Sequence, residues 1–166
     1  MSASRENVAA AGMSHWIAGT FVASTSGRAG VRTNPTTGAA IAEVAFASAE
    51  EFDSAVEAAK AVQTGWRSAP LSRRAEVMFQ LCGMLVEHRQ ELDAIISREN
   101  GKTIADALGE VARGLENVEF ACGVSSMLKG GFSEQASRGV GVYIIRQPLR
   151  VVAGITPFNF PVMVPL

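Results

Sequence analysis

The sequence is short of several things, and each shortage narrows what the chain can be. There are two cysteines, Cys82 and Cys122, in 166 residues. Neither has a CxxC partner or a nearby histidine pair, so no disulfide framework or zinc site is expected. Each lies in an apolar helical pattern, where a free cysteine behaves as a small hydrophobe. Charged residues make up 19% of the chain and the net charge is −1, with no basic run to track a phosphate backbone. That excludes nucleic acid as an expected partner. No apolar stretch approaches the roughly 18 residues that a membrane span needs, so no membrane partner is expected either. The opening MSASRENVAAAGMSHW has Glu6 inside it and no apolar core of a secretory signal. Residues 1–13 therefore read as a loose leader, and a reducing, cytoplasmic location fits. Internal repeats, low-complexity linkers and a Gly-rich phosphate cradle are also missing. His15 and His88 form no triad with the cysteines and read as surface or turn residues.

What is present is a core-forming composition, 48% hydrophobic, in a chain long enough for one domain. His15–Val22 reads as a hairpin around Gly19. The turn cluster Asn34–Pro35–Thr36–Thr37–Gly38 predicts a second hairpin with its returning strand at Ile41–Phe46. Ser48 to Glu51 is a capping box, which predicts a helix to about Gly65 with Phe52, Val56, Ala59 and Val62 or Gln63 on one side. Pro70–Leu71 opens a second helix, with Ala75, Met78, Phe79, Cys82 and Leu85–Val86 as its buried face. A break is expected at His88–Glu91, and Gly101 ends the next segment as a C-terminal cap. The following helix steps regularly through Leu108, Val111, Leu115, Val118, Cys122 and Ser125, with Glu110, Arg113, Glu116 and Asn117 opposite. Val140–Gln147 reads as a strand that Pro148 confines to an edge.

The last stretch, VVAGITPFNFPVMVPL, is the most informative. Val151–Ile155 is β-branched and uncharged, as a strand buried on both faces would be. Pro157 and Pro161 then enforce a stiff loop at its carboxyl end, where open α/β sheets bind ligands. Asn159 stands between Phe158 and Phe160. It either caps a turn or points its amide into a site. Arg113 has two readings as well: a solvated ion-pair ladder with Glu110 and Glu116, or a planar fork for a carboxylate.

Three passages carry a resemblance: ENGK at Glu99–Lys102, LGEVARGLENVEFA at Leu108–Ala121, and YIIRQPLRVVAGITPFNFPVMVP at Tyr143–Pro165. Together they resemble the aldehyde dehydrogenase superfamily, and within it the CoA-acylating methylmalonate-semialdehyde dehydrogenases. The likeness runs from His15 onward and matches the amino-terminal third of that family's chain. It implies an α/β fold with N-terminal hairpins and three to four helices (14–138), an oligomerisation-arm strand (139–149) and the first strand and loop of a Rossmann-like NAD domain (150–166). It implies NAD and coenzyme A as cofactor and co-substrate, and an aldehyde substrate, a 2-methyl-3-oxo acid. It also implies a homotetrameric assembly and a place in valine or inositol catabolism. Arg113 matches the ligand of the substrate carboxylate, Asn159 the oxyanion-hole amide, and Thr156 and Phe158 positions beside NAD. The catalytic cysteine of that family matches neither Cys82 nor Cys122, so these residues alone are expected to be inactive. Arg150 departs from the pattern, which has glycine there. A non-catalytic remnant that associates with complete subunits, or another aldehyde dehydrogenase subtype, are the alternatives.

Overall fold

The computed structural model describes residues 12–166. Most of the leader expected at 1–13 lies outside the described residues. Met13, at its end, is tied down: its N–H donates to the Glu43 carbonyl at 3.0 Å and it bridges Val44.

Two hairpins lead the chain. β1 (His15–Ile17) pairs with β2 (Thr20–Val22), and Trp16 meets Phe21 edge to face with centroids 4.7 Å apart. β3 (Ala29–Thr33) pairs with β4 (Ala40–Ala45). Their turn is the expected cluster: Asn34 Oδ1 accepts the N–H groups of Thr36 at 2.8 Å and Thr37 at 3.2 Å. Helices α1 (Ala49–Ser68), α2 (Leu71–Glu87), α3 (Arg89–Asn100) and α4 (Ile104–Cys122) follow, then a single turn, α5 (Val124–Met127). A third hairpin, β5 (Gly131–Ser137) with β6 (Val140–Ile144), comes last.

The capping box forms as expected and does more than cap. Glu51 accepts the Ser48 N–H at 2.8 Å and returns its own N–H to Ser48 Oγ at 3.2 Å. The same carboxylate also accepts from Ser24 Oγ at 2.9 Å and from the Thr25 N–H at 2.5 Å. His15 Nε2 lies 3.5 Å from it, so this histidine is half-buried in a polar knot and not at the surface. The knot fastens the hairpins to α1.

The elbow between α3 and α4 is the second fastening. Gly101 caps α3 with φ of 79°, and a Cβ there would stand 2.9 Å from Pro35 Cγ, so both the backbone and the neighbour require glycine. Beside it, Glu99 pairs with Arg32 of β3 at 2.5 Å. Thr103 then caps α4 by accepting the Asp106 N–H at 3.1 Å. The core sits just behind: Ile96, Ala107 and Val111 are buried together, with Leu92 and Val162 packed against them.

Several expectations fail, for physical reasons. Val151–Ile155 forms no strand; among the described residues no strand lies alongside it, and Ile155 is fully exposed. A buried strand needs neighbours on its edges as well as an apolar sequence. Arg150 at its start opens onto a groove against α1. Phe79 and Val86, expected on the buried face of α2, are exposed, as these positions face away from the α3–α4 core. Leu108 is also exposed, and Ser125 lies beyond a break at Gly123. Glu110, placed by its spacing on the solvent side of α4, is buried. β5 has no counterpart in the sequence reading, because FSEQAS shows no alternation. β6 ends at Ile144, earlier than the strand expected to Gln147. None of the described helices is long and apolar enough to cross a membrane.

Candidate functional site

The site is built where the loop after Pro157 meets α3 and α4. Phe160 begins a helical turn: its carbonyl accepts the Val164 N–H at 3.4 Å. Pro161 follows at the first helical position, where its missing N–H costs nothing. The next two N–H groups, of Val162 and Met163, have no acceptor in the phenylalanine that precedes the turn. Glu110 supplies one from α4, accepting both through Oε1 at 2.7 and 3.3 Å. Its other oxygen takes Lys102 Nζ at 2.5 Å. The Lys102 ammonium in turn lies over the Phe160 ring, 4.2 Å from its centroid. Burial pushes the Glu110 carboxyl up, but Lys102 and the two amides outweigh it and hold the group below the usual carboxylate range.

Two asparagines complete the clamp. Asn100 Nδ2 donates to the Phe158 carbonyl at 3.0 Å, and Asn117 Nδ2 to that of Met163 at 3.4 Å. Gly114 lets the segment close on α4: a Cβ there would meet Leu166 Cδ1 at 3.0 Å. Val162 then reaches the core.

A cleft of about 440 Å³ opens between this loop and α4, and Arg113, Asn159, Lys102, Asp106, Glu110 and Phe160 line it. The structure thus brings Arg113 and Asn159 to one wall-to-wall space. Among the described residues Arg113 has no ion-pair partner; Glu110, its expected neighbour in a ladder, is engaged by Lys102. Asn159 does not cap the turn that follows it, as Glu110 holds the donors. Thr156 and Phe158 stand outside this cleft, and Phe158 is 86% exposed. Cys82 and Cys122 are free and lie on α2 and α4, away from it. Burial, with the neighbouring Cys82, raises the Cys122 thiol pKa, so this thiol is the opposite of an activated nucleophile.

Residues 21–166 match the model of the aldehyde dehydrogenase family. This chain belongs to the aldehyde dehydrogenase family. Malonate-semialdehyde dehydrogenase 2 of Geobacillus thermodenitrificans is 47% identical over 153 residues, covering 92% of this chain and 32% of that protein. The malonate-semialdehyde dehydrogenase of Pseudomonas aeruginosa is 43% identical over 152 residues, covering 92% and 30%. The crystal structure of methylmalonate-semialdehyde dehydrogenase from Oceanimonas doudoroffii superposes with a TM-score of 0.87 at 42% identity, over 92% of this chain and 31% of that one. A Sinorhizobium meliloti structure complexed with NAD, provisionally named a methylmalonate-semialdehyde dehydrogenase, gives 0.90 at 44% identity, over 96% and 32%. The chain spans about a third of the length of these relatives. Its helices and small antiparallel sheets are those of the amino-terminal part of an aldehyde dehydrogenase.

Sequence reasoning missed the aldehyde dehydrogenase clamp. Glu110 and Asn117 read as solvent-side residues, and Asn100 and Lys102 as part of a motif without a task. One signal was available: a helix start at Phe160–Pro161 has no polar side chain at the capping position itself, so its donors need an acceptor from elsewhere.

Proposed function

We propose that this chain is the amino-terminal portion of an NAD-dependent, CoA-acylating malonate- or methylmalonate-semialdehyde dehydrogenase. The observation that carries the reading is the shared cleft: an unpaired Arg113 guanidinium and an uncommitted Asn159 amide open onto one space. A semialdehyde acid needs both at once. The guanidinium fork binds its carboxylate through two parallel hydrogen bonds. The amide N–H donates to the aldehyde oxygen as attack by a thiolate builds negative charge there. That thiolate comes from neither Cys82 nor Cys122. The exposed Phe158 ring with Thr156 beside it fits the flat ribose–nicotinamide side of NAD, and no Gly-rich cradle for its phosphates stands among these residues. NAD, when bound, would supply the hydride acceptor, and Phe158 and Thr156 would hold it and exclude water from one side. Coenzyme A as acyl acceptor rests on the family likeness, and so does the implied place in valine or inositol catabolism. Homo-oligomeric assembly is supported by β5 and β6, whose residues are exposed on every side, with Phe132 and Tyr143 paired 4.6 Å apart at the surface.

Arg113→Leu in the whole enzyme tests the reading. Losing a charge-assisted bidentate contact lowers kcat/KM for malonate semialdehyde about tenfold to a hundredfold. Propanal, without a carboxylate, is oxidised almost as before. Equal losses on both aldehydes would sink the assignment.

A further inference from the structure

We propose that Glu110 and Lys102 are positioning residues for Asn159. Their buried ion pair caps the turn after the loop in place of any local side chain, and so leaves the Asn159 amide free at the edge of the cleft. The value of that freedom for catalysis rests on the function proposed above; the geometry does not.

Consider what the turn would do without Glu110. The N–H groups of Val162 and Met163 would need a new acceptor. Phe160, at the capping position, has none, and the nearest side-chain carbonyl in the chain is that of Asn159. Asparagine is a strong capping residue, so it would be drawn to these donors. Glu110 takes both and removes the competition. The pair then acts on each side of Asn159. Lys102 holds the Phe160 ring from the same carboxylate, at 4.2 Å from the centroid. Asn100, two residues before Lys102, holds the Phe158 carbonyl at 3.0 Å. Both neighbours of Asn159 are thereby gripped by the one elbow, whereas its own amide is not. A carboxylate serving only to stabilise α4 would need none of these bonds to residues 158–163. The groups facing Glu110 are Lys102 from the elbow, the Val162 and Met163 amides from the turn, and Arg113 and Asp106, which line the same cleft.

The test uses the 166-residue chain first. Amide hydrogen exchange by NMR reads Val162 and Met163 directly, and the Asn159 side-chain NH2 resonances report its surroundings. Glu110→Gln keeps an oxygen acceptor and loses the ion pair. It is expected to speed exchange at Val162 and Met163 by about tenfold or more and to shift the Asn159 NH2 signals, with Ile96 and Val111 still protected. Lys102→Met is expected to do the same more weakly, and Lys102→Arg to restore protection. These two variants decide the matter if Glu110→Gln fails to fold. Unchanged exchange and an unmoved Asn159 signal in Glu110→Gln or Lys102→Met would overturn the proposal. In the whole enzyme, Glu110→Gln is expected to lower kcat about tenfold with KM for the semialdehyde within about twofold, since binding through Arg113 is intact. A loosened loop with undiminished kcat would leave the positioning geometry standing and refute the oxyanion role of Asn159 on which its use depends.

Discussion

Two glutamates cap helical turns in this chain, and they do so in opposite ways. Glu51 belongs to the turn it caps. Its partners Ser48, Ser24 and Thr25 are near in sequence or across one hairpin, and the side chain, 10% exposed, is held by amides and hydroxyls. Glu110 caps a turn that begins far down the chain, is 2% exposed, and has a lysine as counter-ion. The first arrangement is written in a four-residue motif. The second exists only once α4, the elbow and the final loop have come together. A local cap organises an element, whereas a remote one organises a site.

The comparison can be broken in three ways. The largest effect is expected from Glu110→Ala. It strands the Lys102 ammonium, whose side chain is 18% exposed, and removes the acceptor for two amides. Breaking a buried pair in this manner costs about 3–5 kcal/mol. Thermal unfolding should show a far larger loss of Tm than for Glu51→Ala, and a loss no greater than that of Glu51→Ala would mean that the two caps are alike.

The second effect depends on pH. Bonds from the Ser48 and Thr25 N–H groups hold the Glu51 carboxyl down to about 2, from an ordinary 4.5. A depressed pKa in the folded state adds stability that is whole above about 4.5 and is lost as pH falls towards about 2. Glu110 is lowered too, so the same sign applies to it. Wild type should therefore outlast Glu51→Gln at neutral pH and converge on it near pH 2, measured as Tm against pH. Parallel curves over that range would remove Glu51 from the acid response.

The smallest effect on stability is expected at Ile155, which is completely exposed. Ile155→Ser with Val152→Ser should leave the unfolding free energy within about 0.5 kcal/mol of wild type. Light scattering should show a higher monomer fraction, because exposed apolar surface beside an unpaired backbone edge invites association. A cooperative loss of stability would show that Val151–Ile155 packs in solution after all.

Much of the architecture is legible in the sequence wherever the controlling contact is short-range. Ser48–Glu51, Asn34–Gly38, Gly101 and Thr103 each set a boundary that the structure keeps. Helical periodicity locates the helices but misjudges the exposed positions Phe79 and Val86, because spacing does not say which face has a neighbour. The same limit hid Glu110, whose burial is decided by Lys102, Val162 and Met163 and not by its own helix. At the site, Arg113 and Asn159 stand out in the sequence but take their roles from family likeness; their spacing gives no hint that they line one cleft.

The elbow at residues 99–102 has a consequence for how the chain can vary in length. Glu99 reaches Arg32, Asn100 reaches Phe158, Gly101 turns beside Pro35, and Lys102 reaches Glu110 and Phe160. Four consecutive residues thus tie the β3–β4 hairpin, the final loop and α4 together. Adding or removing one of them would displace every later member from its partner, because Gly101 and Lys102 lie between the helices and no regular turn absorbs the change. A substitution here loses a single contact, but an insertion would misdirect all that follow, so the segment behaves as an escapement and not as a hinge. The tip of the third hairpin, at Ser137–Gly139, carries no such burden, and there length is free to change.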